Sequence, residues 1–317
     1  MGTSTSTAPV KTKAPQRQLF PFSEIGSNMG MTSSLHSTEP LDVDISRMRI
    51  IKPIAYGRYV AVLLILLSAT FIVKAFAEGQ VNWSVTWQYM FWPNIMLGLF
   101  NTVWMSILCI SIGVVIGLAC AVARDSTNPV LRSASIFYTW FFRGAPLILQ
   151  LLLWFNLALI FPRMSFFGLY EARTVELITP AVAAILGFSL NSGAYASEII
   201  RAGLLGVDRG QFEAAKAIGM TNSTALYRIV IPQAMRTVLP PLGNEFISLI
   251  KMTSLASIVG FSDLLRSVQS VYYTNTRIIE LLMVATVWYL VVVTILSIFQ
   301  QMLERRFGRG FARSLQL

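Results

Sequence analysis

Six long apolar runs, at 59–76, 95–123, 133–161, 177–200, 234–259 and 278–299, alternate with polar stretches along the 317-residue chain. Each is near or above the ~20 residues that a helix needs to cross a bilayer's hydrocarbon core. The pattern therefore predicts an all-α, polytopic membrane helix bundle with six spans. Residues 1–45 are rich in Ser, Thr and Pro, so they cannot bury a core and are expected to stay disordered. The first apolar run starts too far from the N-terminus to be a signal-peptide core and reads as an anchor helix. It lies in a segment, 46–93, whose Trp83, Trp87 and Trp92 suit the outer membrane interface. Residues 94–302 then form the main transmembrane domain, and 303–317 a basic tail.

Composition supports this assignment: 55% of residues are hydrophobic and only 13% charged, unlike a soluble domain. The net charge of +10 could suggest nucleic acid, but no basic stripe with interleaved aromatics occurs. Its simpler use is topological. An even number of spans puts both termini on one side, and cytoplasmic termini place 18 of the 25 Lys and Arg inside, as the positive-inside rule favours. Cys109 and Cys120 share one apolar run and read as small packing residues.

The most informative polar stretch is 207–232, between the fourth and fifth runs. Asp208 can cap a short helix with Gln211 three residues on, in a capping-box arrangement, and Gly219 can end it. Thr221 or Asn222 can cap a second short helix, expected to stop near Pro232, whose ring suits the first turn of the next membrane helix. The second run carries small residues at four-residue spacing, Gly98, Thr102 and Ser106, then Gly113 and Gly117. This is helix-packing chemistry, with a lining role for Thr102 or Ser106 as the alternative.

In the third run Arg143, Gly144 and Pro146 interrupt the helix, and interrupted membrane helices often flank transport pathways. Arg143 either marks the cytoplasmic membrane edge or lines such a pathway. Gln150 is expected in a pathway or a dimer contact rather than in an interhelical hydrogen bond. Charges within spans cost roughly 2.5 kcal/mol or more, so Glu198, Glu245, Lys251 and Glu280 should face protein or a cavity. Glu245 and Lys251 are six residues apart, on different faces of one helix, and each should find its partner elsewhere or line a pathway. Glu198 is expected to stabilise the turn into Arg201.

The spacing Glu213-Ala214-Ala215, Gly219, Ile229-x-Ile231-Pro232 resembles the cytoplasmic EAA loop of bacterial ABC importer permeases, with Ile231 where leucine is usual. Further stretches narrow the resemblance to the polar amino acid uptake family. They include Phe142-Arg143-Gly144-Ala145-Pro146, with Ala145 in place of threonine, Tyr195 to Glu198, and Leu239-Pro240-Pro241 with Asn244. Lys251-Met252-Thr253-Ser254-Leu255 departs from the family pattern, which has aspartate where Met252 stands; that loss weakens the case for a cationic substrate. The matches run from 95 to about 300, leaving the tail and anchor outside the common five-helix core.

The resemblance implies a type I importer permease in the bacterial cell (inner) membrane, coupled to separate ABC ATPase subunits through residues 203–232. Its further partners would be a second permease subunit, identical or related, and an extracytoplasmic amino acid binding protein. Coupling residues would be Gln211, Glu213, Ala214, Ala215, Gly219 and Pro232. The substrate pathway would draw on Arg143, Gln150, Tyr195, Asn244, Lys251, Thr253 and Ser254. No cofactor or metal site is read, and the chain has no Gly-x4-Gly-Lys-Ser/Thr phosphate cradle. An intramembrane protease is disfavoured because the one histidine, His36, lies in the tail. An ion-coupled secondary transporter using Glu198, Glu245 and Glu280 as proton sites is the alternative.

Overall fold

The computed structural model describes residues 56–79, 81–166 and 170–307. The tail at 1–45 and the last residues of the basic tail, 308–317, lie outside them. Internal contacts divide the chain within the first helix: its beginning belongs with a unit ending at Ile65, and every later element with the unit from Leu66 onward. That helix, α1 (Tyr56–Glu78), is apolar on all sides, as a lipid-facing anchor requires.

After α1 comes a short helix, α2 (Trp83–Tyr89), capped by Asn82, and then α3 (Pro93–Arg124), which starts on Pro93. Trp83 and Trp87 stay exposed beside it. The third apolar run is not one straight span. It forms α4 (Pro129–Gly144) and α5 (Leu147–Phe155), which meet at 103° because Pro146 has no N–H to continue the ladder. Helix ends at Phe155, not at residue 161 as expected, and a 3-10 turn (Leu157–Leu159) follows.

Next comes an antiparallel hairpin, β1 (Arg163–Phe166) and β2 (Tyr170–Arg173), which corrects the all-α expectation locally. Helix α6 (Thr174–Leu177) precedes α7 (Pro180–Leu205), and the loop after α7 carries α8 (Arg209–Ala217) and α9 (Asn222–Ala225). The chain then passes into α10 (Ile231–Met252) and a 3-10 turn (Thr253–Val259). Two helices complete it, α11 (Leu264–Asn275) and α12 (Ile278–Phe307).

By length and composition α1, α3 and α12 can each cross a membrane among the described residues. The bent pairs, α4 with α5 and the Asn222–Val259 stretch with α11 at 47°, raise the number to five. Helix α7, the expected fourth span, is long enough at ~39 Å but buries Ser189, Asn191, Ser192 and Ser197, which dilute its hydropathy. Its position explains them: α7 is the central helix, packed on α3, α10, α5 and α4, so its polar groups face protein rather than lipid.

The α3–α7 seam is where the small-residue stripe goes. Gly113 lies against Ser192, and a Cβ on Gly117 would stand 2.7 Å from that of Ala196 and 2.9 Å from the Gly193 carbonyl. Backbones this close gain dispersion contacts that the surrounding lipid cannot match. Thr102 and Ser106 take packing roles as well: the Thr102 hydroxyl accepts from the Leu264 amide at 3.0 Å, tying α11 to α3. Ser106 donates to the Thr102 carbonyl. Cys109 is fully buried and Cys120 half-buried, both as free thiols in this packing.

Candidate functional site

The loop between α7 and α10 is built from local signals. Asp208 accepts from the Gly210 amide at 2.7 Å and starts α8. The capping box is only half made, because Gln211 does not reach back to Asp208 but accepts from the Gln233 side chain at 3.5 Å. At the other end the Gly219 amide donates to Lys216 and the Met220 amide to Ala215, the paired bonds of a Schellman turn. Gly219 sits at φ +83°, the left-handed region where a side chain is costly. Thr221 caps the next helix by accepting from the Thr224 amide.

That second helix does not stop near Pro232, contrary to expectation. From α9 it passes through a π-helical segment (Leu226–Val230) into α10 without a break. The wider π turn moves the hydrogen-bond register past Pro232, so the missing N–H and the ring are accommodated inside a continuous helix. Ala215 is buried and seats α8, whereas Glu213, Ala214 and Gly219 are exposed. Glu213 has no ion pair among the described residues, and Lys216 lies instead over the Phe212 ring at 4.9 Å.

Charges toward the C-terminal ends of α3, α4 and α7 are gathered differently from the sequence expectation. Glu198 does not brace the turn at Arg201. It pairs with Arg124, the last residue of α3, and stands 3.8 Å from Arg143. Arg201 pairs with Asp125 at 3.6 Å. The Arg143 guanidinium also lies 5.2 Å from the centre of the Tyr195 ring. Arg143, Tyr195 and Glu198 line one shallow cleft with Arg124, which the sequence reading had not linked to them. A lone glutamate within an apolar run requires a cation, but the run itself does not say which one.

Gln150 is 2% exposed, and its amide donates to the Phe142 and Ala145 carbonyls at 3.0 and 2.9 Å. Asn191 of α7 donates to the same Phe142 carbonyl at 2.7 Å. Both therefore satisfy carbonyls freed by the 144–146 break, a requirement for irregular backbone at membrane depth. Within this chain Gln150 therefore braces the bend between α4 and α5.

Helix α10 exposes Asn244 and Lys251, with Glu245 half-buried between them. Neither charged group has an ion pair among the described residues, so the expected partners on other helices of this chain are not there. Thr253 is buried and donates to the Ile250 carbonyl, and Ser254 donates to that of Lys251. These bonds hold the turn below Lys251 and leave its ammonium free. Glu280 has a different place: it is 5% exposed, accepts from the Asn82 amide at 3.2 Å and pairs with Arg277, pinning α2 onto α12.

A multi-pass bundle in which bent helix pairs pack on an unbroken central helix, with a capped and exposed helical loop between spans, is the arrangement of a transport permease. The chain belongs to the family described as "Binding-protein-dependent transport system inner membrane component", which it matches over residues 113–309. It is thus a multi-pass inner membrane protein of a binding-protein-dependent transport system. The arginine transport system permease protein ArgU of Corynebacterium glutamicum is 35% identical over 91% of this chain and 90% of its own length. That match cannot leave out α1, which lies beyond the common core. The L-cystine transport system permease protein TcyB of Bacillus subtilis is 39% identical over 74% of this chain and 94% of its own. Among solved structures, an amino acid ABC transporter crystallised with histidines is similar at 33% identity and a TM-score of 0.63. It covers 72% of this chain and all of the other.

Proposed function

We propose that this chain is the membrane half of an ATP-driven importer of a polar amino acid. A binding protein delivers the substrate outside, separate ATPase subunits bind and hydrolyse ATP, and residues 203–232 transmit their closure to the bundle. The chain's own sequence has no phosphate-binding loop, in keeping with hydrolysis on another subunit. The observation that carries the reading is the continuity of the inner loop with α10. Exposed Glu213 and Ala214 offer a docking face, Ala215 seats it, Gln211 links it to Gln233, and the helix beyond runs unbroken past Pro232 to Asn244 and Lys251. Motion of the loop is therefore motion of the helix that carries the unpaired lysine.

In this reading Asn244 and Lys251 face a pathway closed by a second permease subunit, with the ammonium placed for a substrate carboxylate. Thr253 and Ser254 hold that turn, Gln150 holds the break in the neighbouring helix, and Arg143 with Tyr195 forms the inner rim. A polar amino acid is favoured because relatives over most of the chain are named for arginine, L-cystine and, in Escherichia coli, glutamine. Which of these side chains fits beside Met252 is a matter for ligand screening of the associated binding protein.

The test is uptake into proteoliposomes holding the permease, its ATPase and the binding protein. Transport should require ATP inside and survive an ionophore. Uptake that ignores ATP but collapses with the ion gradient would replace this reading with the secondary transporter. Two of the three proton sites for that alternative, Glu198 and Glu280, are already held in ion pairs.

A further inference from the structure

We infer that the cleft between the end of α3, the start of α4 and the end of α7 holds the phosphate of an anionic phospholipid, with an acyl chain laid along the neighbouring apolar face of α4. On the coupling reading above this is the cytoplasmic leaflet; the binding itself does not depend on that reading.

Beside the cleft of Arg143 and Tyr195 lies a second one of about 320 Å³, and Arg124 and Ile136 stand in the wall of both. Asp125, Ser126, Arg132 and Arg201 complete it. Across the two clefts four arginines meet two carboxylates, Asp125 and Glu198, which leaves a net charge of +2. Arg132 is exposed and has no ion-pair partner among the described residues. Arg201 stands 3.6 Å from Asp125, yet its Nε is buried and makes no hydrogen bond among the described residues. A charged donor withdrawn from water without an acceptor is costly. The Ser126 hydroxyl accepts from the Asn128 amide at 3.1 Å and keeps its own proton to donate.

The start of α4 adds to this. Arg132 follows Pro129 by three residues at the end of a helix dipole that favours an anion over a cation, and no carboxylate occupies that first turn. An anion in the cleft answers the dipole, the Arg132 guanidinium, the Arg201 Nε and the Ser126 hydroxyl together. Phosphate oxygens match a guanidinium as two parallel acceptors, which makes phosphate the best-suited anion.

The membrane setting makes that phosphate a lipid's. Basic pockets between membrane helices suit anionic headgroups. On α4 itself Pro129, Val130, Ser133, Ala134 and Phe137, all exposed, line a groove that borders the Arg132–Ile136 side of the helix. Phe137 stacks on Phe141 at 6.2 Å and lies 5.8 Å from Trp140, which is 69% exposed, so the apolar face continues along the span. A headgroup in the cleft thus has an acyl path beside it. A second copy of this chain is the other candidate for so apolar a face, but across a two-fold axis it would set the same arginines against one another.

The experiment titrates full-length permease, purified in detergent and freed of native lipid, with a fluorescent phosphatidylglycerol. Wild type should bind it at least roughly tenfold more tightly than the matching phosphatidylcholine; no preference between the two overturns the inference, whatever the variants do. Arg132→Gln should weaken phosphatidylglycerol roughly tenfold and leave phosphatidylcholine unchanged, with melting in lipid-free detergent as in wild type. Ser126→Ala should act in the same direction and more weakly. Arg305→Gln, which removes an exposed charge near the end of α12, should bind as wild type does. An equal loss there would reduce the preference to overall charge and overturn the site. Inorganic phosphate in large excess should not displace the lipid; if it does, the cleft takes a free anion and the lipid assignment falls. Arg132→Gln that loses permease pairing while phosphatidylglycerol affinity stays intact would make this face a subunit contact, which also overturns the inference. ATP, ATPase and binding protein are absent throughout, so the outcome is independent of the coupling reading.

Discussion

The seam between α3 and α7 and the loop between α7 and α10 use the same small residues to opposite ends. In the seam, Gly113 and Gly117 bring two backbones of one chain together, and almost nothing is left for another molecule to contact. In the loop, Ala214, Ala217 and Gly219 keep a helix slim while facing outward. Close approach is therefore completed inside the chain in one region and left open at the surface in the other, where the proposed docking face lies. The distinction extends to charge. Glu198 is met by two arginines, whereas Glu213 is met by none among the described residues.

Substitutions can break this comparison, and the largest effect is expected in the seam. Gly117→Leu forces a side chain into the Gly193 backbone and should cost at or above the upper end of the roughly 1–3 kcal/mol typical of overpacking. Loss of a monodisperse permease in size-exclusion chromatography would show it; a well-folded variant would mean that the seam is looser than described. Next comes Glu198→Gln, which leaves Arg124 and Arg143 without their carboxylate. Because the site is partly open to solvent, about 1–2 kcal/mol is expected, read as a lowered melting temperature. Adding Arg124→Gln should recover part of that loss, since it removes the stranded charge.

A smaller change is expected at the loop's turn. Gly219→Ala keeps the chemistry but places a Cβ at φ +83°, at a cost of about 1 kcal/mol, and should shift melting only slightly. Glu213→Ala should leave melting unchanged and yet reduce ATP-driven uptake by tenfold or more. That pairing of a silent stability assay with a failed transport assay is what separates a residue kept for a partner from one kept for the fold. If Glu213→Ala melted early and transported normally, the contrast drawn above would be reversed.

Much of the loop between α7 and α10 was legible because its signals are local. Asp208, Gly219 and Thr221 act on backbone groups within a few residues of themselves, and such caps do not depend on what packs nearby. The spans were legible as lengths of apolar sequence, though not as straight rods. Arg143, Gly144 and Pro146 announced a break without its 103° angle. The bonds of the Gln150 side chain were not legible for a related reason. Its bonds to Phe142 and Ala145 exist only because the bend turns those carbonyls toward it. The hairpin at 163–173 was missed because two four-residue strands carry too little periodicity to stand out beside membrane runs.

Hydrophobic length, helix caps and the small-residue stripe are properties of neighbouring residues, and from them the sequence by itself determined a membrane bundle, the helical loop between α7 and α10 and a packing face on α3. Tertiary structure alone decided that Glu198 belongs to Arg124, that Glu280 pins α2, and that the loop's second helix continues into α10. Those outcomes depend on contacts between positions far apart in the chain, or on a helix register that Pro232 by itself would have been expected to end. Geometry settles them because a buried charge or a freed carbonyl takes whichever partner the fold brings within reach.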